Sequence, residues 1–369
     1  MQAQHAQHKQ LSLPESFAPG QLVVAVILTA QQVGPQRVRL DASLRPSLVN
    51  AGLTAEQLRP NMWLSTAVVG EEEHVLRLNF GVENVTGIIK KTEYGEEPVP
   101  KVGSIVMVSV QKVNSQAGTV KCSLASSEPI GNDPLDHSSL KPGMLVSARV
   151  RSVVEAKPRQ TPGLQVRFCG LSAVIHKHHD GETEEVEWTK NQKLVARILA
   201  LLPETTPVIQ LTLLPHLVEW APQDLSQKAQ IGELLVGNIM DFQPKYGCRV
   251  QKLQGVAAEA ADTDGEGDVL GFCSMSRLAD TDKDIVATSV KAGFQSQYRV
   301  LSYNFLDKML ILTRKPADLE DGVLVSVSEL SPGQLVTGIV TNVADHGRPG
   351  FAMGFLRFHP RAKMQIRLW

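Results

Sequence analysis

The run Leu140-Lys-Pro-Gly-Met-Leu-Val-Ser-Ala-Arg-Val150 decides how the rest of the chain is read. Its Pro-Gly pair sets a tight turn, and the residues that follow are mostly branched or small, which favours an extended strand. The phrase recurs. Leu330-Ser-Pro-Gly-Gln-Leu-Val-Thr-Gly-Ile-Val340 repeats it closely, and Ile231-Gly-Glu-Leu-Leu-Val-Gly-Asn-Ile239 repeats it more loosely. Leu58-Arg-Pro-Asn-Met-Trp-Leu-Ser-Thr-Ala-Val68 is a fourth relative. Such self-similarity marks a chain built from copies of one structural unit.

A second phrase closes the unit. Gln192-Lys-Leu-Val-Ala-Arg-Ile-Leu199 leads to Val208-Ile-Gln-Leu-Thr-Leu-Leu-Pro-His-Leu-Val218. The same hairpin appears as Gly20-Gln-Leu-Val-Val-Ala-Val-Ile-Leu28 with Val38-Arg-Leu-Asp-Ala-Ser-Leu-Arg-Pro-Ser-Leu-Val49. Further versions run from Ser104 to Leu124 and from Gln297 to Thr313. Taken in order, the phrases define a unit of roughly 70–85 residues with five strands. In the second full copy the strands are predicted at 144–154, 164–169, 171–177, 193–202 and 207–213. Val166 and Phe168 fall on one face there, Gln165 and Arg167 on the other. Five short strands laid flat would leave exposed edges, so closure into an OB-type five-stranded barrel is the expected solution.

The predicted fold class is therefore all-β, with tandem five-stranded OB-type barrels. Three copies are complete, at 57–126, 140–218 and 231–316, and partial copies stand at each end. Residues 1–18 read as a tail and 19–50 as the closing half of a preceding copy. Residues 330–369 read as a truncated copy that loses the pattern after Asp345-His-Gly347, as though the chain were cut from a longer array. Thr54-Ala-Glu-Gln57 has a capping-box pattern and predicts a helical turn before the first full copy. Residues 259–268 read as an acidic surface loop.

Composition narrows the function. Of 369 residues 43% are hydrophobic and 20% charged, enough for packed cores and against full-length disorder. The net charge of -1 removes the simplest argument for nucleic-acid binding, a strongly basic domain, but not local basic patches. Cys122, Cys169, Cys248 and Cys273 are scattered without a C-x-x-C pair, and read as buried thiols in a reducing compartment. No stretch has the length of a membrane helix. Leu22 to Ala30 follows Pro19-Gly20 and has only Lys9 as a basic residue before it, so it reads as a buried strand rather than a signal peptide.

The repeated unit resembles the S1 RNA-binding domain. That family opens with Pro-Gly-x-x-Val-x-Gly-x-Val, continues with aromatic-Gly-x-aromatic-Val and Gly-apolar-apolar-His-x-Ser, and closes on Leu-Ser-Leu. The tandem arrangement over residues 19–347 resembles the large eukaryotic rRNA-processing proteins of the programmed cell death protein 11 type. The resemblance implies a nucleolar protein that binds pre-ribosomal RNA and assembly factors, without cofactor or catalysis. It also implies where RNA lies: across the second and third strands, with aromatics stacked on bases and His, Lys or Arg on phosphate.

Carried over residue by residue, the third copy keeps Tyr246-Gly-Cys-Arg-Val250, with Arg249 in the second aromatic place. A guanidinium can stack on a base as well as pair with phosphate. Phe272 and Ser274 follow on the next strand, Ser274 standing where His is usual, and then Arg277. The second copy keeps His176, with Lys177 and Arg167 nearby, but has Pro162 and Gln165 in the aromatic places. The first copy is read with Glu72 and Val75 in those places and only Lys90, Lys91 and Arg77 as a basic edge, hence as a spacer or protein-binding module.

Two apparent metal motifs are set aside. His176, His178, His179 and Asp180 do not converge if they lie on a strand. Asp262-x-Asp-x-Glu-Gly267 imitates the start of an EF-hand loop but has Cys273 at the twelfth place. No Gly-x-Ser-x-Gly, Walker loop or His-Glu-x-x-His is present. The expected function is an RNA-binding scaffold in pre-rRNA processing and ribosomal subunit assembly, on single-stranded or pre-ribosomal RNA. The alternatives are an array of degenerate barrels that holds proteins rather than RNA, and a ribosomal S1-like translation protein.

Overall fold

The computed structural model describes residues 17–34, 37–96, 98–114, 116–124, 128–155, 162–181, 187–203, 208–221, 225–243, 246–252, 270–279, 290–320, 339–340 and 356–357. The acidic segment 259–268, the EF-hand-like motif and Asp345-His-Gly347 lie outside the described residues.

A hairpin comes first, strands β1 (Val26–Gly34) and β2 (Arg37–Ser43). Barrel 1 follows: β3 (Trp63–Glu71), β4 (Val75–Asn79), β5 (Thr86–Lys90), β6 (Ile105–Asn114) and β7 (Thr119–Ser123). Barrel 2 is β8 (Leu145–Val154), β9 (Gly163–Phe168), β10 (Leu171–His176), β11 (Lys193–Leu202) and β12 (Val208–Thr212). Barrel 3 is β13 (Leu234–Gln243), β14 (Gly247–Lys252), β15 (Leu270–Ser274), β16 (Gln295–Asn304) and β17 (Met309–Thr313). Two residue pairs, Ile339–Val340 and Leu356–Arg357, make a short antiparallel ladder.

Each barrel closes in the same order. Its first strand pairs with the second and fourth, and its third strand runs parallel to the fifth. This is the five-stranded closed topology expected from the repeated phrases. Closure of so small a barrel needs sharp bends, and the bends recur. A register shift falls in the first strand of each copy, at Val68/Gly70, Val150/Ser152 and Ile239/Asp241. Another falls in the fourth strand, at Val110/Lys112, Ile198/Ala200 and Val300/Ser302. Such bulges bend a strand and tighten its twist.

The turn residues follow the same logic. Gly143 and Gly232 enter the first strand of barrels 2 and 3 with positive φ, and Asn61 takes that place in barrel 1 with φ 68°. Asn adopts the left-handed conformation at small cost, so Pro60-Asn61 serves as Pro-Gly does elsewhere. The turn predicted from Thr54–Gln57 forms as a 3-10 turn, Ala55–Gln57, with the Thr54 amide donating to Gln57 Oε1 at 3.0 Å.

Alternation places branched side chains inside. Leu64, Leu76, Leu78, Ile89 and Val108 fill barrel 1, and Val146, Val166, Ile175, Ile198 and Ile209 fill barrel 2. In barrel 3, Ile239, Val250, Val300, Leu310 and Leu312 are joined inside by Tyr298, which is fully buried. Its space comes from Gly237, which occupies the register position of Thr66 and Ala148 in the other barrels. A Cβ on Gly237 would lie 2.3 Å from Val250 Cγ1. Gly237→Val is therefore expected to overpack barrel 3 and lower its stability by about 1–3 kcal/mol. Urea unfolding followed by Tyr and Trp fluorescence checks this.

The chain divides into two units, residues 1–222 and 223–369. In the first, barrel 1 and barrel 2 share one core and are tied to each other through the segment that follows the hairpin. Asn50, just after the hairpin, donates from Nδ2 to the carbonyls of Ser65 and Phe80, both at 2.8 Å. Lys141 Nζ donates to the Ala51 carbonyl at 2.7 Å. Trp63 of barrel 1 meets Trp220 edge to face, with ring centroids 6.3 Å apart. Arg197, on β11, lies over the Trp220 ring at 5.2 Å, and its guanidinium donates to the carbonyls of Gly143 and Val218.

The hairpin departs from expectation in one respect. It is a strand pair, but Ile27, Leu28, Val38 and Leu40 are all more than half exposed. Among the described residues β1 and β2 pair only with each other, so no third strand covers that apolar side. All four cysteines are free and buried, and burial pushes the Cys122 thiol up to about 12.

Candidate nucleic-acid interface

The face expected to meet nucleic acid lies on the second and third strands of each barrel, and cross-strand register shows which residues share it. In barrel 3, Arg249 stands directly opposite Phe272, and Gly247 opposite Ser274. Cys248, Val250 and Cys273 alternate with them and point into the core. Tyr246 precedes β14 and is 58% exposed. Its carbonyl accepts the Met275 amide at 3.0 Å, which ties the start of β14 to the end of β15. Tyr246, Arg249, Phe272 and Ser274 thus belong to one outward patch. Arg277 sits beyond it on the helical turn Met275–Leu278 and pairs with Asp318 at 3.5 Å.

The patch is electrostatically compromised. Arg249 Nη2 lies 3.6 Å from Asp241 Oδ2, on the neighbouring strand β13. Gln243 also donates to that carboxylate at 3.1 Å. A phosphate at Arg249 would have to compete with Asp241.

Barrel 2 presents Gln165 opposite Val174 and His176 opposite Gly163. His176 Nε2 is 3.2 Å from Gln210 Nε2, so the face is extended onto β12 by a polar contact. Arg167 is exposed and opposite Ser172. Lys177 is not on the strand. β10 ends at His176, and Lys177–His179 form a 3-10 turn held by the Lys177 amide donating to the Pro162 carbonyl at 3.0 Å. His179 Nδ1 contacts Thr212 Oγ1 at 3.1 Å. Among the described residues no three His, Cys, Asp or Glu side chains converge as a metal site would need.

Barrel 1 corrects the sequence alignment. The Lys91 amide donates to the His74 carbonyl at 3.0 Å, the bond made by Tyr246 and Pro162 in the other barrels. Arg77 stands opposite Ile88, as Arg249 stands opposite Phe272. The two aromatic places are therefore His74 and Arg77, not Glu72 and Val75. Val75 occupies the place of Gly163 and Gly247, so the glycine that marks the motif elsewhere is missing, and the sequence offers no anchor for counting. Lys90 is exposed at the position of His176 and Ser274. Among the described residues, Lys91 and Arg77 on this face each have a carboxylate beside them and Lys90 has none. Lys91 pairs with Glu71 at 2.6 Å, Arg77 with Glu72 at 3.8 Å, and His74 lies 3.7 Å from Glu73.

No protein-family model matches the chain. Curated relatives do. The "Protein RRP5 homolog" of Homo sapiens is 28% identical over 357 residues, covering 91% of this chain and 18% of that protein. The "rRNA biogenesis protein RRP5" of Arabidopsis thaliana is 26% identical over 351 residues, covering 91% and 17%. That of Schizosaccharomyces pombe is 21% identical over 321 residues, covering 84% and 18%. The chain is thus related in sequence to proteins of the RRP5 type, and it spans under a fifth of the length of those relatives.

Proposed function

We propose that this chain is an RNA-binding scaffold segment acting in rRNA biogenesis, whose barrels hold single-stranded pre-ribosomal RNA in the nucleolus alongside assembly factors and perform no catalysis. The relation to RRP5-type proteins along nine-tenths of the chain supports the process. The observation that supports RNA as the ligand is the outward patch of barrel 3, where Tyr246, Arg249 and Phe272 place two aromatic rings and a guanidinium on one face. Aromatic rings and guanidinium planes are the groups on which unstacked bases rest. Several weak barrels on one chain gain affinity through effective concentration.

A second reading, protein binding, is favoured for barrel 1, because Glu71 and Glu72 neutralise Lys91 and Arg77. Ultraviolet crosslinking of the intact protein in cells, followed by purification and sequencing of attached RNA, separates the two. Crosslinked fragments of pre-rRNA are the expected result. Recovery of assembly proteins with no crosslinked RNA would overturn the RNA reading for the whole chain.

A further inference from the structure

The deciding observation lies beside the face just described. In barrel 2, β8 is paired with β11 on one side and β9 on the other. Lys193 stands directly opposite Arg149, and Arg149 directly opposite Arg167. All three are exposed. Three cations therefore stand in one row across three adjacent strands. Direct cross-strand partners have Cβ atoms about 4.5–5.5 Å apart, and like charges at that spacing destabilise a sheet. Arg151, the extra residue in the β8 bulge, is exposed beside them.

Nothing in the described fold offsets this repulsion. None of the four has an ion-pair partner among the described residues, and Arg149 makes one hydrogen bond, to the Asn191 carbonyl at 3.3 Å. This contrasts with Arg77, Lys91, Arg249 and Arg277, each of which has a carboxylate beside it. The other barrels supply an internal control. The same row reads Ile105–Ala67–Asn79 in barrel 1 and Gln295–Asn238–Gln251 in barrel 3, all uncharged. Barrel architecture therefore does not require cations there.

We infer that the row Lys193–Arg149–Arg167 is a phosphate-binding strip that carries the backbone of single-stranded RNA around the side of barrel 2. It rests on the RNA-binding reading and extends it. Arg167 links the strip to the β9–β10 face, since its other cross-strand partner is Ser172 on β10. RNA crossing that face would continue onto β8 and β11, where the charges stand. The strip reads no base, because cations contacting phosphate position a strand without specifying sequence. Barrel 2, which lacks aromatics in both usual places, would then contribute charge where barrel 3 contributes stacking.

The test uses the full chain and fluorescence anisotropy with a uridine-rich single-stranded RNA over a series of salt concentrations. The variant is R149Q/R167Q/K193Q, and the control is K101Q/K291Q/K308Q, which removes the same charge from exposed lysines elsewhere. Each phosphate neutralised on a single strand contributes about 0.7 to the slope of log affinity against log salt. The row variant is expected to lower that slope by about 2, at unchanged or raised melting temperature, while the control leaves it near the parent value. An unchanged slope in the row variant, or an equal fall in the control, would overturn the strip while leaving RNA binding by the chain intact. Absence of binding by the parent chain even at low salt would overturn both readings.

Discussion

Replacing Arg197 by alanine is expected to destabilise the first unit by about 3–5 kcal/mol and to lower its melting temperature by roughly 10 °C. Arg197 is 1% exposed and sits on β11 at the turn that opens barrel 2. Its guanidinium bridges the Gly143 carbonyl in that turn and the Val218 carbonyl at the end of the helical turn Pro215–Val218. It also supports Trp220, which in turn meets Trp63 of barrel 1. Alanine would leave buried acceptors without a donor and a cavity beneath an indole. Burial pushes the guanidinium down to about 10, still charged at neutral pH. Lysine keeps the charge but lacks the planar fork, so Arg197→Lys is expected to recover only part of the loss. Thermal unfolding followed by Trp fluorescence checks both.

Barrel 3 repeats the device. Arg299 donates from Nη1 to the Gly232 carbonyl at 2.9 Å and from Nη2 to the Glu320 carbonyl at 3.0 Å. Barrel 1 does not, having Ser109 at that register position opposite Trp63. The Arg seen in both closing phrases is therefore a clip between the entry turn and the segment that leaves each barrel.

The second large effect concerns binding. Tyr246→Ala is expected to weaken uridine-rich RNA roughly 5- to 150-fold, since stacking on an aromatic ring is worth about 1–3 kcal/mol per base. Tyr246 is more than half exposed, so folding should be little disturbed. Arg249→Ala should weaken binding and reduce the salt dependence by about 0.7 in slope. Asp241→Asn should do the reverse and tighten binding, because its carboxylate lies 3.6 Å from Arg249 and competes with phosphate. Equilibrium titrations of the three variants at fixed salt check these directions together. Opposite signs for Arg249→Ala and Asp241→Asn are the informative outcome, since a general loss of fold would move both the same way.

Much of the fold is legible in the residues because the turns and strands carry local marks. The run from Leu140 predicts a strand over 144–154, and β8 spans Leu145–Val154. The prediction of 193–202 meets β11 at Lys193–Leu202. Pro-Gly turns and branched runs are properties of adjacent residues, and adjacent residues are what a sequence displays. Lys177 is the small exception: the extended pattern through Val174 and Ile175 does not reveal that the chain turns after His176.

The candidate site is less legible, for a physical reason. Its members come together through the cross-strand register of paired strands, which spacing along the chain does not display. In barrel 1 the absence of glycine at Val75 removes the landmark, and the motif is counted from the wrong residue. His74 and Arg77 are then recognised only by the bond from Lys91 to His74 and the pairing of Arg77 with Ile88. The cation row is hidden more thoroughly. Arg149, Arg167 and Lys193 belong to three strands, and no spacing along the chain brings them side by side. The carboxylates that neutralise Arg249 and Arg277, Asp241 and Asp318, also lie on elements other than those of their partners.

The measurement to make first is anisotropy binding of the intact chain to uridine-rich single-stranded RNA, at about 50 mM and about 200 mM salt. Saturable binding at the lower salt that falls at least tenfold at the higher is the predicted result, as several phosphate contacts require. Absence of saturable binding at the lower salt would contradict RNA recognition by these barrels and leave protein binding as their function.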